Sequence, residues 1–399
     1  MKRRTMLLGT AAALTGARHA TAQPAATHPG LPAGTREEAV LDALPGKQPL
    51  IKLSWRPPNY ESPLTAFALP ITPNDRFFVR YHLSQIPEMA QLTDWKLTID
   101  GDAAGKPIAL TLADLARLPQ QNVAAVCQCS GNRRGLSAPH VPGVQWGMGA
   151  MGCAVWRGPL LRDVLALAGV KPEAVEIAFQ GADGAVMPAT PGFVKSIPLS
   201  RAQDDTTLIA LSMNGEPLPL WNGYPARLVV PGWTATYWMK HLIRIEIRAA
   251  KLDNFWMKTA YRVPTGLFAG SPFPTQDTTA NRPITDILVN ALATSHQDGD
   301  QVRGNGFTLQ GIAWDNGAGI DRVEISTDRG ERWAIAMLGE FHGRFAFQPW
   351  RLQLASSTGP LTPMIRAVSK SGATMPAKPV FNPAGYHNNA VQTLQLTAV

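Results

Sequence analysis

The pattern of apolar residues changes at residues 262–285, a stretch rich in Pro, Gly, Thr and Ser that reads as a linker. Beyond it helical periodicity disappears. Phe307 to Trp314 alternates apolar and polar positions, and Val323-Glu324-Ile325-Ser326 runs into the turn Asp328-Arg329-Gly330 and returns through Trp333. Alternation around a Gly turn is a hairpin signature. Phe345 to Leu352 and Met364 to Val368 supply a further strand pair. Short strands at regular spacing predict that residues 286–399 form a small β-sandwich of immunoglobulin-like kind.

Ahead of the linker the periods mix. Arg76 to His82, Trp95 to Ile99, Val123 to Cys127, Val175 to Phe179 and Ala226 to Val230 read as strands, and Leu160 to Leu165 has helical spacing. Thr111 is placed to cap a short helix, with Asp114 in its first turn. The expectation is an α+β chain: a Pro-rich N-terminal arm over 23–70, a mixed α/β body over 71–261, the linker, and the sandwich. A length of 399 residues suits two such domains, and 45% hydrophobic against 17% charged residues excludes a disordered protein.

The net charge of +8 does not point to nucleic acid. Lys2, Arg3, Arg4 and Arg18 fall within residues 1–22, which hold no acid, and removing them leaves +4 on the remainder. No basic run is interleaved with aromatics. Residues 1–22 read instead as a cleavable export signal: a basic start, a modest apolar stretch from Met6 to Ala17, and a small-residue end at Ala20-Thr21-Ala22. The pair Arg3-Arg4 resembles a twin-arginine signal, a route that carries folded proteins, typically with a cofactor already inserted. A periplasmic protein is expected, with no membrane insertion, since no later apolar run approaches the roughly 20 residues of a span.

Three cysteines, Cys127, Cys129 and Cys153, are too few and badly spaced for a disulfide framework. There is no Cys-x-x-Cys-His, so no c-type haem is expected in this chain. The unusual run is Cys127-Gln128-Cys129-Ser130-Gly131-Asn132-Arg133-Arg134-Gly135: a thiol at a strand end, a Gly-Asn turn, then two guanidinium groups. A thiolate near Arg has a lowered pKa and ligates soft metals. Paired arginines suit oxyanions through bidentate, charge-assisted bonds. Arg80-Tyr81-His82 is a second cation cluster, in which strand alternation puts Arg80 and His82 on one face. Each cluster alone has a blander reading, as a buried apolar Cys or a solvated Arg.

Together with Phe78-Val79-Arg80-Tyr81-His82 and with Asn222 to Gly232, the Cys129-to-Arg134 run resembles the sulfite oxidase family, oxidoreductases built on a molybdenum–pterin cofactor. The likeness continues through Trp238-Met239-Lys240, Tyr261 and the 326–333 hairpin, and is strongest to bacterial periplasmic sulfite dehydrogenases. It implies a molybdopterin-binding catalytic domain over 71–261 and a dimerisation-type sandwich over 286–399.

Residue by residue, the resemblance makes Cys129 the one protein ligand of a single molybdenum, completed by pterin sulfurs and oxo groups. Arg80, Arg134, Trp146 and Tyr261 match the substrate pocket, and Arg344 matches a further pocket arginine more loosely. Phe78, Tyr81, His82, Asp183, Asn222, Arg227, Trp238, Met239 and Lys240 fall where the family holds the pterin and its phosphate. Cys127 and Cys153 read as core. The implied reaction is oxidation of sulfite to sulfate by oxygen-atom transfer at a Mo-oxo centre, with electrons leaving one at a time to a c-type cytochrome. A homodimer through the C-terminal domain is a further implication.

Two departures stand out. Animal members have His where this chain has Asn222, and no haem-binding module precedes the core. Three other readings compete: a sulfane-sulfur dehydrogenase acting on carrier-protein-bound sulfur, a methionine sulfoxide reductase, and a cofactor-free secreted β-rich binding protein. Arg133-Arg134 favours a free oxyanion over the first, and the reductases lack the C-terminal sandwich. A binding protein gives no reason for Cys129 beside two arginines.

Overall fold

The computed structural model describes residues 26–27, 38–268 and 280–399, side chains from residue 41 onward. The export segment 1–22 lies outside the described residues. Strands dominate and the helices are short, consistent with a Gly- and Pro-rich chain. The longest helix is Leu161–Ala168, whose Leu161, Val164, Leu165 and Ala168 are buried along one face. Helix Leu112–Arg117 opens as the sequence indicates: the Thr111 side chain accepts the Asp114 amide at 3.2 Å, and the Asp114 carboxylate accepts the Thr111 amide at 2.9 Å.

The half that carries the cysteine run is built on two sheets. One orders Val194–Pro198, Glu176–Gly181, Leu242–Arg248, Leu97–Asp100 and Ile108–Leu110, with a parallel pairing between Leu242–Arg248 and Leu97–Asp100. The other pairs Gln120–Gln128 with Met151–Pro159 along their full lengths and ends one residue before Cys129. A sheet that stops there delivers the thiol and the following turn to the edge of a rigid platform.

Two parts differ from the sequence reading. Residues 38–61 are not an irregular arm: Glu38–Asp42, Leu50–Ser54 and Asn59–Glu61 form an antiparallel meander whose last partner is Val79–Arg80. Strands of three to five residues carry too few alternations to be seen in sequence. The 262–285 stretch contains the pair Arg262–Pro264 and Asn281–Pro283, with Val263, Phe268 and Ile284 buried against each other.

The C-terminal domain is a β-sandwich. Asn290–Ala293, Phe307–Trp314, Gln348–Leu354 and Met337–Leu338 form one sheet; Ala334–Ile335, Ile320–Ser326, Met364–Ser369 and Gln392–Thr393 form the other. The hairpin turn is present, with Arg329 and Gly330 both at positive φ. The strands Gln348–Leu354 and Met364–Ser369 are not partners of each other but lie in opposite sheets, and their apolar faces share one core.

This domain clasps the cysteine strand. The Val126 amide donates to Phe345 O at 2.9 Å, the Trp314 indole to Gln128 Oε1 at 2.5 Å, and the His387 amide to Ser130 O at 3.1 Å. Buried Arg133, at φ 66, donates to Ala291 O at 2.9 Å and Ala390 O at 3.0 Å. The first of the paired arginines is therefore an interdomain strap. Burial pushes its guanidinium down to about 10.

Candidate active site

Cys129 sits where two cavities meet. The first, about 590 Å³, is lined by Phe78, Arg80, His82, Cys129, Asp183, Asn222, Arg227, Trp238, Met239, Lys240 and Tyr261, together with Ser130, Phe193, Trp221, Ala235 and Thr236. The second, about 760 Å³, shares Arg80, Cys129 and Tyr261 and adds Arg134 with Pro142–Val144 and Pro383, Ala384 and Tyr386. One thiol thus faces a deep chamber on one side and an open channel on the other.

The chamber is cationic. Arg227 donates to Asn222 O at 3.0 Å and to Cys127 Sγ at 3.2 Å, and its guanidinium lies over the Trp156 ring at 5.1 Å. Cys127 is thereby occupied, and burial raises its thiol pKa despite Arg227. Cys153 is raised to about 12 by burial. Lys240 donates to Arg80 O at 2.7 Å and sits over the Tyr81 ring at 4.3 Å; burial and the nearby Arg227 lower it to about 7. Burial raises Asp183 more than Lys240 and Arg80 lower it. An anion in the chamber would reverse the Lys240 shift and keep it charged.

Tyr261 joins the two cavities. Its backbone is left-handed at φ 57, a conformation that costs a bulky residue about 1–2 kcal/mol and marks a constrained position. Arg80 donates to the Tyr261 oxygen at 3.4 Å, and the same hydroxyl lies in hydrogen-bonding contact with His82 Nε2. Arg80 can only donate, so the Tyr261 oxygen accepts from it and keeps its own proton and a second lone pair for its contact with His82 Nε2. His82 stays neutral: burial first, then Arg80, Lys240 and Lys195, hold it well below the ordinary histidine range. Burial raises Tyr261, with Arg80 opposing. The phenol is a donor, not a phenolate, at neutral pH.

Arg134 faces the channel. It donates to Ala384 O at 2.7 Å and Val144 O at 3.1 Å, and lies over the Tyr386 ring at 5.2 Å. Gly131 makes room for it, since a Cβ there would fall 2.6 Å from the guanidinium.

Three expected site residues are elsewhere. Tyr81 is fully buried behind the chamber wall, its hydroxyl 2.7 Å from His241 Nε2, and serves as the surface on which Lys240 rests. Trp146 is fully buried in the core and lines neither cavity, because its backbone pairs with Gly135 (2.8 Å) and turns the indole inward. Arg344 is exposed and folds over Phe345 at 4.5 Å, because its neighbour Phe345 is anchored by its carbonyl to Val126 and takes the buried position.

Other residues were missed. Lys195 is 1% exposed, donates to Trp256 O at 2.7 Å and lies 5.6 Å from the Tyr261 ring centre. Its signal was a lysine between Phe193 and Ile197 on the inward face of an alternating strand. Lys47 donates to Asn222 Oδ1 at 2.6 Å from the supposed arm. Phe193 stacks on His82 at 3.8 Å. Tyr386 and Lys47 carried no recognisable local pattern.

The chamber fits a large anionic, metal-bearing cofactor. Arg227 Nε and Thr236 Oγ1 line it, are buried, and have no partner among the described residues. Such atoms are costly unless a ligand meets them. Among the described residues no three His, Cys, Asp or Glu side chains converge on a metal site. A metal here would take one protein thiolate, Cys129, and its other ligands from the cofactor.

Comparison with known proteins agrees. The family model of the oxidoreductase molybdopterin binding domain matches residues 83–256, and that of the Mo-co oxidoreductase dimerisation domain matches 281–398. Mitochondrial sulfite oxidase of Macaca fascicularis is 33% identical over 87% of this chain, which spans 65% of that protein's length. Sulfite oxidase of Arabidopsis thaliana is 32% identical over 76% of this chain and 79% of its own. The sulfane dehydrogenase SoxCD of Paracoccus pantotrophus superposes with a TM-score of 0.74 at 27% identity, covering 86% of this chain and 85% of its own. A cofactor-free binding protein accounts for none of this. The chain belongs to the sulfite oxidase family of molybdopterin oxidoreductases.

Proposed function

We propose that this protein oxidises sulfite to sulfate in the periplasm and passes the electrons to a c-type cytochrome. The observation that supports this most directly is the channel side of Cys129, where Arg80, Arg134 and the Tyr261 hydroxyl surround a space open to solvent. Two fixed cations attract and orient a small dianion, a steering effect of 10-fold or more in on-rate. The net reaction, sulfite plus water giving sulfate, two protons and two electrons, moves charge onto oxygen, and preorganised N–H and O–H donors stabilise that better than mobile water.

The molybdenum cofactor, when bound, supplies oxygen-atom exchange and stores two electrons. Cys129 would hold its metal; Arg227, Lys240, Thr236 and His82 line the chamber that would hold its pterin and phosphate. The chain's own contribution to turnover is positional. Arg80 anchors the Tyr261 oxygen, and the same oxygen is hydrogen-bonded to His82 Nε2. Burial keeps the phenol protonated and the imidazole neutral, so the pair presents fixed hydrogen-bonding groups to the site. The twin-arginine-like start supports export after cofactor insertion. Pairing through the C-terminal domain is part of the proposal, in keeping with its family model.

The likeness to SoxCD favours a second reading, sulfur oxidation on a carrier. The channel mouth is apolar, with Pro142, Val144, Pro383 and Tyr386 around it. The test is a steady-state assay of the exported protein with free sulfite and cytochrome c, with metal analysis. Turnover with sulfite alone is expected; molybdenum-loaded protein inert to sulfite would overturn the proposal.

A further inference from the structure

Tyr386 belongs to the C-terminal domain, yet its ring stacks on Tyr261 at 5.5 Å between centroids and 25° between planes. The Arg134 guanidinium lies over the same ring at 5.2 Å. The Tyr386 phenol thus packs directly on the residue held at φ 57. One side chain therefore touches two of the polar groups that face the channel, Tyr261 and Arg134. Its own loop is tied back: Ala384 O accepts from Arg134, and Asn382 Oδ1 accepts the Tyr386 amide at 2.9 Å.

Tyr386 is the channel-lining ring that stacks on Tyr261. Of the other neighbours, His82, Lys195 and Trp256 do not line the channel, and Arg80 lines both cavities. Arg134 has two backbone acceptors that fix its stem and one nitrogen edge, leaving the aromatic face as what orients its plane. A cation held flat on an aromatic ring keeps its remaining N–H edge directed outward.

We propose that Tyr386 is a positioning residue: it sets the orientation of Tyr261 and Arg134 toward an oxyanion in the channel, so that the C-terminal domain completes the substrate site within one chain. This rests on the reading of the channel as the sulfur-oxyanion site. The charged and titratable groups that face Tyr386 and Tyr261 are Arg80, His82, Cys129, Arg134 and Lys195.

The test uses molybdenum-loaded protein and two variants, Tyr386→Phe and Tyr386→Leu, each checked for metal content and thermal unfolding. Sulfate binding is measured by calorimetry, which needs no turnover, alongside sulfite kinetics across pH. Tyr386→Leu is expected to weaken sulfate binding and raise KM about 5-fold or more, and to lower the alkaline limb of kcat, because water reaches Tyr261. Tyr386→Phe keeps the ring, so sulfate affinity and KM should stay within twofold of wild type while kcat drops about 3-fold. A generic packing defect would lower activity without moving the pH limb. If Tyr386→Leu does not fold, the kcat loss at constant KM in Tyr386→Phe carries the test. Wild-type activity with both variants inside twofold of it overturns the role of Tyr386 and leaves the enzyme assignment standing. Wild-type protein that neither binds sulfate nor oxidises sulfite overturns both.

Discussion

Lys47 donates to Asn222 Oδ1 at 2.6 Å although 175 residues separate them. The same ammonium reaches Phe77 O at 3.1 Å and Asn74 O at 2.5 Å, and the Asn222 amide donates to Phe78 O at 3.2 Å. A side chain from the N-terminal meander therefore locks the chamber wall at Asn222. Lys47→Met should leave three acceptors unmet, costing roughly 1–3 kcal/mol each before relaxation. The expected result is a lower melting temperature and poorer molybdenum retention; unchanged values for both would show the contact to be incidental.

Cys129→Ser should abolish sulfite turnover while leaving the circular dichroism spectrum intact, since the thiol is buried but borders both cavities and Ser is close to it in size. Cys153→Ser, in a core cluster that borders neither cavity, should cost stability instead, with kcat preserved. Reversal of these two outcomes would misplace the metal.

Arg134→Met should raise the sulfite KM more than tenfold, as a charge-assisted contact contributes roughly 1.5–3 kcal/mol. Gly131→Ala should produce a smaller change of the same kind, because its added Cβ meets the guanidinium at 2.6 Å and displaces its flexible end. Arg344→Ala should leave KM within twofold of wild type, being exposed and folded over Phe345. A tenfold effect at Arg344 would return that residue to the substrate pocket.

Burial holds Lys195 at about 7 against an ordinary value of 10.5. Between those pH values the unfolded chain binds the proton that the folded chain has lost, so stability rises with pH. The contribution is full above pH 10.5 and is lost as pH falls to about 7. The unfolding free energy should therefore slope upward from pH 7 to 8.5, below the range where cysteine ionisation adds an opposing slope. Lys47 and Lys240, also held at about 7 by burial, add slopes of the same sign, so Lys195→Met should reduce the slope by about one proton's share and not abolish it; an identical slope in wild type and variant would remove Lys195 as a source.

The sequence was legible where a local pattern carried the information. The Thr111 cap, the 161–168 helix and the 320–335 hairpin follow from residue chemistry within a few positions of each other. The alternation in Arg80-Tyr81-His82 places two side chains in the chamber and the Tyr81 ring behind it, against the resemblance and in line with strand geometry. Tyr386, Lys47 and the fate of Arg344 were not legible. Each depends on which domain surface is brought against the cysteine turn, and that is decided by long-range contacts such as Val126 to Phe345.

Arg133 and Arg134 are neighbours in the chain with opposite allegiances: one is pinned to the carbonyls of Ala291 and Ala390, the other borders the channel. A single peptide link joins the anchor to the channel arginine. Any small rocking of the sandwich would be transmitted along that link to the guanidinium that, on the proposed function, meets the substrate. Quaternary contacts made far from the metal would then register as a change in apparent affinity for the anion.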